Sequence, residues 1–324
     1  MTVEVFNSTL SQMLMMFSLI AVGFLLRKCS CLPDNAGTTM SKLETFVFVP
    51  ALNFYAQISK CNPQTFAENA PLILYGTVIT VAGLLLAYPL SRLFVPQYKR
   101  SSEEAYRRNI YKYAMTFGNY GFMGNFIVLG VFGQDAFFRY TLFCFPLSIL
   151  CNVWGLYVLI PKEQNAGLAA NLKKGLLTPP VIGLVAGMAL GLLGVSQYMP
   201  DFVMTAFDNA AACQGPVGML LAGFVIGGYR FGDLISNKKV YVASFVRLIA
   251  IPAVLMLILR LLSTPQEIMV LALIAFATPL GLNTIVYPAA YGGETKTGAS
   301  MAMISHTLSV ITIPIMYLLF IEML

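Results

Sequence analysis

Long apolar runs, separated by short polar segments, follow one another from end to end of this chain. Ten of them approach the roughly 20 apolar residues that a bilayer-spanning helix needs. They lie near 10–27, 42–58, 70–93, 111–132, 138–160, 177–194, 203–228, 239–262, 267–291 and 299–322. The second is the weakest, being short and holding Glu44, Pro50, Asn53 and Gln57. The pattern predicts an all-α membrane protein of ten transmembrane helices.

Composition agrees. Of 324 residues, 58% are hydrophobic and 10% charged, with a mean hydropathy of +0.75. A soluble domain covers itself with about 25% charged residues, so lipid must be the main solvent here. The net charge of +6 raises the question of nucleic acid. The basic residues argue against it, because they cluster between apolar runs rather than along one aromatic-interleaved face.

Those clusters orient the chain. Arg27, Lys28 and Lys42 flank the first loop, and Arg92, Lys99, Arg100, Arg107, Arg108 and Lys112 the third. Lys162, Lys173 and Lys174 mark the fifth, Arg230, Lys238 and Lys239 the seventh, and Lys296 the ninth. Sixteen basic residues thus fall on one side, against Lys60, Arg139 and Arg260 on the other. The positive-inside rule makes the rich side cytoplasmic and places both termini outside, in the cytoplasmic (inner or plasma) membrane. The N-terminus lacks a basic region ahead of its first apolar run, so that run is expected to stay as a helix.

The six cysteines give no disulfide framework or zinc spacing, and His306 is the single histidine. No metal and no cofactor is implied.

The chain carries a faint copy of itself. Phe48-Val49-Pro50 in the second span answers Gln214-Gly215-Pro216 in the seventh, and Pro89 in the third answers Pro252 in the eighth. Asn119-Tyr120-Gly121 and Gly133 in the fourth answer Pro279-Leu280-Gly281 and Gly293 in and after the ninth. The offsets drift through 166, 163 and 160. Five helices per copy is odd, so the second copy enters from the opposite side, as in the inverted repeats of many secondary transporters. The division expected is 1–160 for the first repeat, 161–176 for a cytoplasmic linker and 177–324 for the second repeat.

The fourth and ninth spans are the least helix-like. Gly118-Asn119-Tyr120-Gly121 and Gly124-Asn125 interrupt one; Pro279, Gly281 and Pro288 interrupt the other. Broken helices at membrane depth survive only where protein or a wet cavity satisfies the freed backbone. Half-helix N-termini there suit a carboxylate. Asn119, Gly121, Asn125, Pro279, Gly281, Asn283 and Thr284 are therefore the candidate substrate-binding residues, as opposed to simple kink and packing positions. Arg247 joins them as a charge roughly 12 Å inside the eighth span at 1.5 Å per residue, placed to attract an anion. Glu44, Asp208 and His306 are candidates for ion coupling. The two acids lie near predicted helix ends, where solvated boundary residues are expected, and a histidine can equally serve packing.

At these two breaks the sequence resembles the auxin efflux carrier family, including bacterial members described as malate or malonate permeases. The resemblance runs through Asn119 to Gly133, Pro279-Leu280-Gly281 to Gly292, Lys173-Lys174-Gly175-Leu176-Leu177-Thr178-Pro179-Pro180, and Ser300 to Pro314, and spans nearly the whole chain. It implies ten helices in two inverted five-helix repeats, with broken helices four and nine crossing at a carboxylate site. It implies a scaffold (helices 1, 2, 6, 7), a transport part (helices 3–5, 8–10), an elevator-like mechanism and a homodimer. Plant members carry Pro where Gly118 stands here, and their long cytoplasmic loop is absent. A small microbial mono- or dicarboxylate is therefore the expected cargo, with proton, sodium or no coupling ion.

Other classes are less well served. A sodium-coupled bile-acid-type symporter would need acids clustered with amides at the crossing. A non-transporting sensor usually brings a sizeable soluble region. A membrane enzyme needs a nucleophile–base or metal constellation, which one histidine and two boundary acids do not supply.

Overall fold

The computed structural model describes residues 2–161, 170, 173 and 175–323. Helices dominate: α1 Thr2–Lys28, α2 36–60, α3 Pro63–Asn69, α4 Pro71–Phe94, α5 Ser102–Thr116, α6 Tyr120–Phe143 and α7 Phe145–Leu159. They continue as α8 Pro179–Leu192, α9 Asp201–Gly227, α10 Phe231–Ile235, α11 Lys238–Leu261, α12 Gln266–Ala277, α13 Asn283–Ala290 and α14 Lys296–Glu322. Among the described residues no strand forms. The linker expected at 161–176 lies largely outside them.

Six helices are long and apolar enough to cross a membrane: α1, α4, α6, α9, α11 and α14. The chain is a multi-pass membrane protein. The second, fifth, sixth and ninth expected spans appear as shorter or more polar helices. The fourth span is broken into α5 and α6, and the ninth into α12 and α13. α6 is interrupted again at Gly133, whose φ of 80° lies in the region that favours glycine. Large apolar side chains left exposed along α4, such as Leu74, Val78, Leu85 and Leu93, are the surface that lipid covers.

Helix starts follow the sequence. Ser101 caps α5 by accepting from the Glu104 N–H at 3.1 Å, and Asn62 caps α3 by accepting from Thr65 N–H at 2.9 Å. Prolines occupy the first turns of α3, α4, α7 and α8, where a missing N–H costs nothing.

In lipid there is little hydrophobic drive between helices, so close packing and hydrogen bonds hold the bundle. Gly183, Gly187 and Gly191 form a four-residue-spaced ridge on α8. A Cβ on any of them would sit 2.5 Å from a backbone oxygen, of Pro50 and Phe54 in α2 and of Cys61 just past its end respectively. α1 packs on α9 and α8 on α2, while α4 packs on α5, α6 and α7, and α11 and α12 on α14. Of four π-type turns among the described residues, three, at Glu44–Phe48, Tyr120–Gly124 and Val246–Ala250, coincide with residues singled out above, and the fourth, Leu318–Glu322, does not. Such turns recur at functional positions.

Candidate functional site

The two interrupted helices meet. Phe117 (φ −114°, ψ 120°) and Thr278 (φ −69°, ψ 151°) are extended, the latter because it precedes a proline. The freed backbone pairs across the gap. Gly118 and Leu280 form an antiparallel bridge, and the Asn119 N–H donates to the Pro279 carbonyl at 2.7 Å. The Leu280 N–H donates to Ser305 Oγ at 3.1 Å.

Four half-helix ends converge on this bridge, and they are treated differently. The C-terminal ends of α5 and α12 share one cap. Arg247, 1% exposed, donates through Nη1 to the carbonyls of Met115 (3.2 Å) and Thr116 (3.4 Å) and through Nη2 to Ala275 (3.4 Å). Its guanidinium also lies 5.3 Å from the Phe276 ring centre. The last carbonyls of a helix lack internal partners and carry its negative pole, so a single buried cation satisfies both ends.

The N-terminal ends of α6 and α13 are instead open to a cavity of about 100 Å3, with room for waters or a small molecule. Tyr120, Gly121, Phe122 and Asn125 line it from α6, and Gly281, Leu282 and Asn283 from the start of α13. The facing wall comes from α2 (Ser41, Glu44, Thr45, Asn53) and α8 (Pro180, Val181, Leu184). α7 adds Ser148, Cys151 and Asn152. Among the residues that line it, Glu44 is the one carboxylate, and there is no Lys, Arg or His.

The amides are held in place. The Asn283 Nδ2 donates to the Tyr113 hydroxyl at 2.8 Å and lies 3.4 Å from Cys151 Sγ. The Tyr287 hydroxyl donates to Asn152 Oδ1 at 3.0 Å. Asn119 Nδ2 lies 3.0 Å from His306 Nε2, and His306 Nδ1 lies 2.7 Å from the Ala302 carbonyl. A carbonyl can only accept, so Nδ1 carries the proton and Nε2 of the neutral ring accepts from the amide. Asn119 Oδ1 is then left without a partner among the described residues.

The structure thus brings Asn119, Gly121, Asn125, Gly281, Asn283 and Glu44 to one cavity. Three candidates lie behind its wall. Pro279 accepts the Asn119 N–H, Thr284 Oγ1 donates to the Gly281 carbonyl at 2.8 Å, and Arg247 caps from the rear. His306 sits one layer back through Asn119. Asp208 is exposed on α9 and does not line the cavity. Glu44 is not a solvated boundary residue but is 1% exposed. Tyr113, Ser148, Cys151, Asn152 and Tyr287 were not singled out by sequence. The polar pair Cys151-Asn152 inside an apolar run was the available signal.

Residues 8–317 match a family model described as "membrane transport protein". The chain is also similar to an uncharacterized transporter of Methanocaldococcus jannaschii, 21% identical over 93% of this chain and 95% of that one.

Proposed function

Because the chain belongs to the auxin efflux carrier family of membrane transport proteins, we propose that it is a secondary transporter of a small organic anion, a mono- or dicarboxylate. The observation that carries this reading is the unequal treatment of the four half-helix ends. Both negative ends are neutralised by Arg247, and both positive ends face the cavity. Unpaired N–H groups at helix starts and the partial positive charge there favour a carboxylate. The Arg247 charge, one residue behind the wall at Gly118, adds to the same potential. Asn119, Asn125 and Asn283 supply neutral donors that can orient the anion without trapping it.

In this reading α5–α6 and α12–α13 are the fourth and ninth of ten transmembrane helices, crossing as the broken pair of two inverted repeats. α1, α2, α8 and α9 form the scaffold. The cavity lies where this scaffold meets the crossing, so alternating access follows from an elevator-like displacement of the crossing past α2, α8 and α9. The amides and N-termini travel with the cargo, and the scaffold wall is exchanged.

The test is uptake of labelled mono- and dicarboxylates by the purified chain in liposomes. Saturable uptake of one of them, reduced about tenfold or more in Asn119→Ala, is expected, since a lost hydrogen bond to a charged group is worth about 1.5–3 kcal/mol. Folded protein that moves none of them, and is thermally stabilised by none, would overturn the reading.

A further inference from the structure

Glu44 stands apart from the rest of the cavity. It is 1% exposed, and neither Oε1 nor Oε2 has a hydrogen-bond partner among the described residues. The π-type turn Glu44–Phe48 directs it inward while Leu43 and Phe46 stay exposed. An isolated ionised carboxylate out of water is too costly to persist, so the group is neutralised by a cation. A metal ion would need a shell of several oxygens, whereas a proton needs only the carboxyl. No group of three or more His, Cys, Asp or Glu side chains gathers among the described residues.

Few other ionisable groups face it. α8 carries none. On α9, Asp201, Asp208 and Cys213 are exposed. On α2 itself Lys42 is exposed, Tyr55 is half-buried, and Lys60 pairs with Asp135 at 2.8 Å. The cavity otherwise presents the phenols of Tyr120 and Tyr287 and the thiols of Cys144 and Cys151.

We propose that Glu44 carries a proton that accompanies the organic anion. This rests on the anion reading above. A bound anion and an ionised Glu44 would share one water-poor cavity, where like charges repel strongly. The anion therefore binds best when Glu44 is protonated, and by reciprocity the proton is held more tightly when the anion is present. On one side of the membrane the carboxylate takes up H⁺ and the anion enters. On the other the anion leaves and Glu44 releases H⁺. One proton moves with each anion, and no other reactant is needed.

Two measurements separate this proposal from the function itself. In liposomes, an inward proton gradient at constant sodium should speed uptake of labelled succinate (or of whichever carboxylate the chain moves) several-fold. Glu44→Gln, which mimics the protonated acid, should lose that acceleration but still exchange carboxylate for carboxylate. Acceleration that persists in Glu44→Gln, or that follows a sodium gradient at fixed pH instead, overturns the proposal. Infrared difference spectra of the folded protein between acid and alkaline pH need no substrate. They should show a protonated carboxyl band that titrates in the wild type and is missing in Glu44→Gln. If the band is present but no carboxylate is moved, the cargo assignment fails and the proton site stands. If carboxylates are moved and the band is absent, the proton site fails alone.

Discussion

Arg247 and Gly118 are in direct contact: a Cβ built on Gly118 would lie 2.5 Å from Arg247 Nη2. The same atom would stand 2.5 Å from Thr278 Oγ1 and 2.9 Å from the Thr278 carbonyl oxygen. Two of these neighbours are held by the crossing itself, so neither can retreat. Gly118→Ala should therefore lower stability by at least the roughly 1–3 kcal/mol typical of overpacking. Gly121 is the control, since a Cβ there meets nothing within 4 Å. Gly121→Ala should melt within a few degrees of wild type. Equal melting temperatures for the two variants would show that the bridge tolerates a side chain and that the close approach is not needed.

Removing the cap should uncouple the two crossings from each other. Arg247→Met keeps much of the buried bulk but strands the carbonyls of Met115 and Thr116 and leaves Ala275 with only the Thr278 hydroxyl, at 3.3 Å. Each buried group left unsatisfied costs about 1–3 kcal/mol. Arg247→Lys restores the charge but not the planar fork that reaches two helix ends. The expected order of thermal stability is wild type, then Lys, then Met. A Met variant as stable as wild type would mean that water or backbone rearrangement caps these ends.

Asn119 and His306 should behave as one unit. The neutral ring accepts from the amide, which sets the way the amide presents itself to the cavity. Asn119→Ala and His306→Ala should each weaken carboxylate binding, and the double variant should be little worse than the poorer single one. A coupling of about 0.5–3 kcal/mol is the range for contacting residues. Strict additivity in a thermal-shift titration would show that the imidazole does not orient the amide.

Much of this was legible in the sequence, for identifiable reasons. Gly118, Asn119, Pro279 and Gly281 announce broken backbone in apolar surroundings, and only a polar cavity or a protein partner makes that affordable. The ends of α4, α8, α9, α11 and α14 lie within three residues of the expected spans, because apolar length and flanking Lys and Arg are local signals, whereas the fourth expected span stops at 132 and α6 runs on to Phe143. Arg247 was legible as a buried charge but not as a double cap, since its partners are main-chain carbonyls 131 and 28 residues away and carbonyls have no sequence signature. Glu44 looked like a boundary residue because the apolar run around it is short. Its burial comes from helices α8 and α9, more than a hundred residues later, which no local pattern reports. Tyr113 was unreadable for the same reason: its hydroxyl meets Asn283 only through the fold.

The basic-residue asymmetry makes a prediction about sidedness. Cys29 and Cys31 are exposed in the turn after α1, on the side expected to face the cytoplasm. In a variant that keeps Cys31 as its one cysteine, a membrane-impermeant maleimide should label inside-out vesicles and leave intact cells unlabelled. Labelling from outside would invert the orientation and with it the direction in which the cavity opens.

An elevator displacement needs a surface on which the crossing can slide. Phe122 and Phe126 of α6 lie against Gly218 and Gly215 of α9, where added Cβ atoms would fall 2.6 Å and 2.2 Å from the rings. The two glycines are one helical turn apart and present bare backbone to the aromatic rings. Beside them Gln214 Nε2 donates to the Gly121 carbonyl at 3.3 Å, a bond that sliding must break, whereas the glycine ridge of α8 seats α2 backbone to backbone. Gly215→Val and Gly218→Val would raise obstacles in the path. The rings can rotate aside in one resting position, so folding and carboxylate-induced thermal stabilisation should survive. Liposome uptake should fall at least tenfold. Variants that bind and transport at wild-type rates would argue that α6 does not move along α9, and that access alternates by local gating around a stationary crossing instead.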